Sequence, residues 1–121
     1  MKILIVEDEE VLSNVLKEEF QSEGYEIRIA KDGGDVPKLA KSFRPDIILL
    51  DILLPKKSGL DVLVELKADP DLKTIPVVMI SNLSEDENIK KALTSGAVDY
   101  FVKTQHSIYE VVEKVQKYIA K

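Results

Sequence analysis

Four strand-like runs in this sequence stop on residues with chemistry to offer. Ile3–Val6 ends at Glu7-Asp8, Ile47–Leu50 at Asp51, Val77–Ile80 at Ser81 and Val98–Val102 at Lys103. The stops supply acids, a hydroxyl and an ammonium. Ile47–Leu50 is the most telling of them. A continuous apolar run of that kind suits a strand buried on both faces, as in a parallel sheet covered by helices. Such a strand has no solvent face for a charge, so Asp51 must emerge where the strand ends. In open α/β sheets the carboxyl edge of the strands is where ligands bind.

The elements that must position these residues can be read in order. After Ile3–Val6, Leu12, Val15, Leu16 and Phe20 recur at helical spacing, and Gly24 stands where a C-terminal cap belongs. Tyr25–Ala30 reads as a second strand, at an edge because Glu26 and Arg28 interrupt it. Val36, Leu39, Ala40 and Phe43 give a second helix, with Pro37 tolerated in its first turn. Past Asp51, Pro55 stops the extended segment and Ser58 is an N-cap for a helix carrying Leu60, Leu63, Val64 and Lys67, which ends before Asp69-Pro70. After Val77–Ile80, Ser84 and Glu87 form a capping box for a helix with Ile89, Ala92 and Leu93, closed by Gly96. Beyond the Val98–Val102 strand, Ile108, Val111, Val112, Val115 and Ile119 line one face of a last helix.

The order is strand–helix repeated five times, (βα)5. Right-handed crossovers turn that into an α/β fold, a doubly wound five-stranded parallel sheet. With strand order 2-1-3-4-5, strands one and three are neighbours at the topological switch point, and Glu7, Asp8 and Asp51 share one crevice. Three converging carboxylates repel each other, and a divalent cation is the usual remedy. Oxygen donors without His or Cys favour Mg²⁺ over zinc or copper.

Composition narrows the classes. The 121 residues are 45% apolar and 32% charged, which fits one folded domain, here taken as 1–121 with no output domain. A net charge of −5 argues against nucleic-acid binding. The absence of cysteine excludes disulfides and thiolate chemistry. No signal-like start and no membrane-length apolar run is present, so a cytoplasmic protein without a membrane partner is expected.

The joint pattern resembles the receiver domain of two-component response regulators. Glu7-Asp8 follows strand one, Asp51 follows strand three with Pro55 four residues on, Ser81 follows strand four, Tyr100 lies in strand five and Lys103 follows it. The resemblance covers essentially the whole chain and implies the flavodoxin-like receiver fold. It implies that Asp51 accepts a phosphoryl group from the phosphohistidine of a sensor histidine kinase or histidine phosphotransfer protein. Asp8, Asp51 and the Leu53 backbone carbonyl would hold Mg²⁺, with Glu7 acting through a water. Lys103 and Ser81 would contact the phosphoryl oxygens. Ser81 and Tyr100 would form a switch, coupling Asp51 to the surface of the fourth helix, fifth strand and fifth helix. That surface would engage a downstream protein target or a second copy as a homodimer. The chain would catalyse only its own phosphorylation and dephosphorylation, and is not otherwise an enzyme.

Two positions depart from the usual pattern. Asn82 stands where a small residue is common, and could hydrogen-bond the phosphoryl group or narrow its access. Thr104 replaces a proline that is usually preceded by a cis bond, so a trans bond or a reshaped loop is expected. His106 reads as a surface or helix-capping residue. A flavin carrier would need a phosphate cradle where Glu7-Asp8 stands, and the nucleotide motifs are absent. Aspartyl phosphatases typically place a second aspartate where this chain has Leu53. The alternative that stays open is a receiver-like interaction module working without phosphorylation.

Overall fold

A computed structural model describes residues 1–119, so the last two residues of the expected domain lie outside the described residues. The elements alternate as β1 (Lys2–Val6), α1 (Glu10–Ser22), β2 (Glu26–Ala30), α2 (Val36–Phe43), β3 (Ile47–Leu50), α3 (Gly59–Ala68), β4 (Val77–Ser81), α4 (Asp86–Thr94), β5 (Asp99–Val102) and α5 (Ile108–Ile119). The strands pair in parallel in the order β2-β1-β3-β4-β5, as expected. Every strand therefore delivers its carboxyl end to one edge.

Period-two alternation splits the strands between two cores. Leu4, Val6, Ile48, Leu50, Val77 and Met79 face α2, α3 and α4, where Val36, Phe43, Leu63, Leu66 and Ala92 meet them. Ile3, Ile5, Ile47, Leu49, Val78 and Ile80 face α1 and α5, against Leu16, Phe20, Val112 and Val115. All four residues of β3 are fully buried, which explains why its sequence is continuously apolar. β2 is an edge strand with Glu26 and Arg28 exposed. Among the described residues no helix is long and apolar enough to cross a membrane.

The ends of the helices follow local chemistry. Gly24 and Gly96 take positive φ, +93° and +114°, just beyond the C-caps Glu23 and Ser95 of α1 and α4. Ser58 Oγ accepts the Leu60 N–H at 3.3 Å and starts α3. Pro37 sits in the first turn of α2, which ends at Arg44 in the left-handed region at φ 54°.

Some expectations are corrected. The Ser84–Glu87 capping box is absent: α4 starts at Asp86 with Glu85 as N-cap and no side-chain cap. The same S-x-x-E pattern works at α5 instead, where Glu110 N–H donates to Ser107 Oγ and Ser107 N–H to Glu110 Oε1. Val15, Val64 and Leu93 are exposed, and the buried stripes run through Ser13, Leu16 and Phe20 in α1 and through Gly59, Val62, Leu63 and Leu66 in α3.

Candidate functional site

The carboxyl edge gathers the chemistry at the β1–β3 switch point. Asp51 follows β3 directly, and its backbone N–H donates to Val6 O at 3.0 Å, continuing the ladder to β1. Its Oδ1 accepts the Ile52 N–H at 2.7 Å, which fixes the carboxylate at the loop entrance. The same loop returns at Gly59, whose N–H donates to Ile52 O at 2.8 Å. A Cβ at Gly59 would overlap the Asp51 carbonyl oxygen, so only glycine lets α3 start this close.

Glu7, Asp8 and Asp51 offer carboxylate oxygens that lie within 4.8 Å of one another. Asp8 is exposed, whereas Glu7 and Asp51 are almost wholly buried. Two buried carboxylates need a counter-charge. Lys103 supplies it, with Nζ 2.7 Å from Glu7 Oε1 and 3.1 Å from Asp51 Oδ2. Burial pushes the Glu7 carboxyl above the ordinary carboxylate range, and the Lys103 bond only partly offsets this. Burial works against the Lys103 charge, yet its bonds to Glu7 and Asp51 win and hold its pKa above the usual lysine value. The donors are all oxygen and one member is open to solvent, so the cluster could hold a hard divalent cation.

The crevice over this cluster is about 200 Å³ and is lined by Glu7, Asp8, Glu9, Asp51, Leu53, Asn82 and Lys103. Leu53 and Asn82 stand exposed on its rim. Ser81 is the last residue of β4 and is fully buried, with Oγ accepting the Leu83 N–H at 3.3 Å. Tyr100 is buried too, and its hydroxyl donates to Leu83 O at 2.7 Å. Burial pushes the Tyr100 hydroxyl pKa up. Ser81 and Tyr100 thus hold Leu83 from its two backbone groups.

No described peptide bond is cis, and residues 103–105 form a single 3₁₀ turn. The bond before Thr104 is therefore trans, the first of the two expected alternatives. His106 lies outside the cluster, its ring edge-on to Phe101 at 5.3 Å between centroids. Tyr109 is 72% exposed on α5, and Tyr118 donates to Asp99 Oδ2 at 2.6 Å, a bond that pushes its hydroxyl up to about 12.

Glu9 is a site residue that the sequence reading passed over. Its N–H donates to Glu7 Oε2 at 3.0 Å and its carboxylate lies 3.9 Å from Lys103. In the sequence it is one acid in a run of four, and nothing there separates it from a solvated helix start.

Comparison with known proteins agrees with this arrangement. A family model described as the response regulator receiver domain matches residues 3–116. The polar-differentiation response regulator DivK of Brucella anthropi is 31% identical over 97% of this chain and 94% of its own length. The phosphate regulon transcriptional regulatory protein PhoB of Rhizobium meliloti is 33% identical over 84% of this chain and 45% of its own. The chain spans about half the length of several curated relatives it matches, PhoB among them. Among solved structures, a two-component response regulator from Clostridium difficile aligns with TM-score 0.90 at 26% identity, covering 100% of this chain and 97% of that one. The Mn²⁺-bound form of another response regulator aligns with TM-score 0.87 at 27% identity, covering 99% and 95%. With the family matched along nearly its whole length and the fold shared, this chain belongs to the receiver domains of two-component response regulators.

Proposed function

We propose that the domain takes a phosphoryl group onto Asp51 from the phosphohistidine of a sensor histidine kinase or histidine phosphotransfer protein, in a Mg²⁺-dependent step. The observation that carries this reading is the convergence of Glu7, Asp8 and Asp51 within 4.8 Å, with the Lys103 ammonium against Asp51. A carboxylate approaching a phosphoryl group is an anion meeting an anion, so the protein's task is charge neutralisation and in-line placement. An Asp51 carboxylate oxygen forms the new bond to phosphorus as the bond from phosphorus to the donor imidazole nitrogen breaks. The released imidazole keeps the electron pair and takes a proton from solvent.

Asp8 and Asp51, with the Leu53 carbonyl, would hold the Mg²⁺, and Glu7 would act through a water. When bound, the ion neutralises phosphoryl oxygen charge. The Mn²⁺-bound relative supports a divalent ion in this fold. Lys103 provides a mobile cation for the same oxygens, and its high pKa keeps it charged. Ser81 provides a hydroxyl, and Asn82 an amide at the rim. We assign the switch to Ser81 and Tyr100 through Leu83. A change at Asp51 would be read on the α4-β5-α5 surface by a downstream protein target or by a second copy forming a homodimer. A cytoplasmic setting suits these partners. The domain would catalyse only its own phosphorylation and dephosphorylation.

The test is intact mass after incubation with a small-molecule phosphodonor, with and without Mg²⁺, for the native chain and Asp51→Asn. One added phosphoryl group, absent without Mg²⁺ and absent in the variant, is expected. No mass gain together with no Mg²⁺ binding would overturn the reading in favour of an interaction module that works without phosphorylation.

A further inference from the structure

The loop from Ile52 to Ser58 leaves Asp51 and has no regular structure of its own. It is pinned at two places. At its base, Gly59 N–H holds Ile52 O. At its outer turn, Pro55 O accepts two N–H groups, from Lys57 at 2.8 Å and from Gly33 at 3.2 Å. Gly33 does not belong to this part of the chain. It lies in the turn between β2 and α2, is buried, and reaches across to brace the loop from outside.

The contact depends on the missing side chain. A Cβ at Gly33 would overlap the Lys57 carbonyl oxygen and come within 2.9 Å of Val62 Cγ2. A backbone carbonyl cannot rotate aside as a side chain would, so the 55–57 turn itself would have to move. That turn is already held tightly, with Lys56 at φ 69°. Asp32 adds a second tie, its Oδ1 accepting the Gly34 N–H at 2.8 Å while its Oδ2 lies 3.7 Å from Lys56 Nζ.

Leu53 sits between the two pins. We propose that Gly33 is a positioning residue for the Asp51 site: by seating its backbone against Pro55 and Lys57, it fixes the loop that carries Leu53 beside the carboxylate cluster. The metal consequence rests on the reading that the cluster, completed by the Leu53 carbonyl, holds Mg²⁺. The brace itself does not.

The turn contains its own control. A Cβ at Gly34 would meet only Asp32 Oδ1 at 3.3 Å and Lys56 side-chain carbons at 3.7 and 3.8 Å. Neither glycine has φ in the left-handed region, so the difference between them lies in what the added Cβ meets. Gly33→Ala should displace the loop and Gly34→Ala should leave it.

The experiment is a set of amide NMR spectra of the native chain, Gly33→Ala and Gly34→Ala, recorded before and during Mg²⁺ addition. Before Mg²⁺, the Ile52 and Leu53 amides are expected to shift in Gly33→Ala alone. During the titration, its midpoint is expected to rise about tenfold, with Gly34→Ala like the native chain, because small misplacements of site groups carry large costs. A general loss of stability would not move the midpoint while the spectrum remains that of a folded protein. Ile52 and Leu53 amides unmoved in folded Gly33→Ala would overturn the brace. A native chain that does not bind Mg²⁺ would overturn the functional reading instead, with the metal-free shifts still reporting on the brace. Should Gly33→Ala not fold, amide hydrogen exchange in the native chain takes its place: the Gly33 N–H, bonded to Pro55 O, is expected to be protected as the Gly59 N–H on Ile52 O is, and a Gly33 amide that exchanges freely would overturn the brace.

Discussion

Lys103 Nζ stands 2.7 Å from Glu7 Oε1, closer than its 3.1 Å to Asp51 Oδ2. The ammonium therefore serves two buried acids at once, and removing it leaves both without a counter-charge. Breaking a buried ion pair on one side costs about 3–5 kcal/mol. Lys103→Met is expected to lower stability by about that much in metal-free urea denaturation. Mg²⁺ should then raise the melting temperature of the variant more than that of the native chain. An equal rise in both would contradict the view that cation and lysine compensate the same charges.

Glu7 carries a pH signature. Its carboxyl is held above its ordinary value of 4.5 chiefly by burial, so the folded state binds the proton more tightly than the unfolded state does. This contribution to stability is fully present below pH 4.5 and is lost as pH rises through the raised folded value. Lys103, also raised, loses its contribution only above its ordinary 10.5, far outside that window. Glu7→Gln should therefore show a shallower fall of melting temperature as pH rises above 4.5. A native profile in the variant would show that Glu7 is not the titrating group.

Leu83 is held by its N–H to Ser81 Oγ and by its C=O from Tyr100. A typical intramolecular hydrogen bond contributes about 1 kcal/mol net, so Ser81→Ala and Tyr100→Phe should each cost about that. Because both bonds position one residue, the double variant should fall short of, or exceed, the sum by about 0.5 kcal/mol or more. A denaturation cycle on the four chains measures it. Strict additivity would mean the two side chains do not sense each other through Leu83.

Two glycines should respond to alanine for different reasons. At Gly59 the added carbon meets the Asp51 carbonyl, and the cost should reach or pass the upper end of the about 1–3 kcal/mol typical of overpacking. At Gly24 nothing lies within 4 Å, and only the left-handed φ of +93° resists, at about 1–2 kcal/mol. Thermal melts of Gly59→Ala and Gly24→Ala should fall in that order.

Much of this was legible in the chain because buried parallel strands have no polar positions to spare. Ile47–Leu50 could be nothing but interior, and its stop at Asp51 marks the edge of the sheet. Five strand–helix repeats with right-handed crossovers implied a parallel sheet, and the order 2-1-3-4-5 of the receiver fold that the chain resembles then brought Glu7, Asp8 and Asp51 together. Other features were invisible for equally physical reasons. Val15, Val64 and Leu93 are apolar at helical spacing yet face water, because a three- or four-residue step does not say which stripe is rotated inward. The S-x-x-E pattern occurs at both 84–87 and 107–110, and only the second meets a helix start. Glu9 gains its place from Lys103 arriving over the sheet, a contact between residues 94 positions apart that no local pattern encodes.

The strand order also works as a ruler. Neighbouring strands lie about 4.8 Å apart, so each residue at the edge must span a set number of such steps to reach Asp51. Ser81, on adjacent β4, is one step away. Lys103 starts from β5, two steps off, and it still reaches beyond Asp51 to Glu7, which extends from β1 on the other flank. The lysine, on the far strand, needs the full length of its side chain to do so. The same residue types delivered by a sheet wound 1-2-3-4-5 would stand at the wrong intervals, and the ammonium would fall short of Glu7.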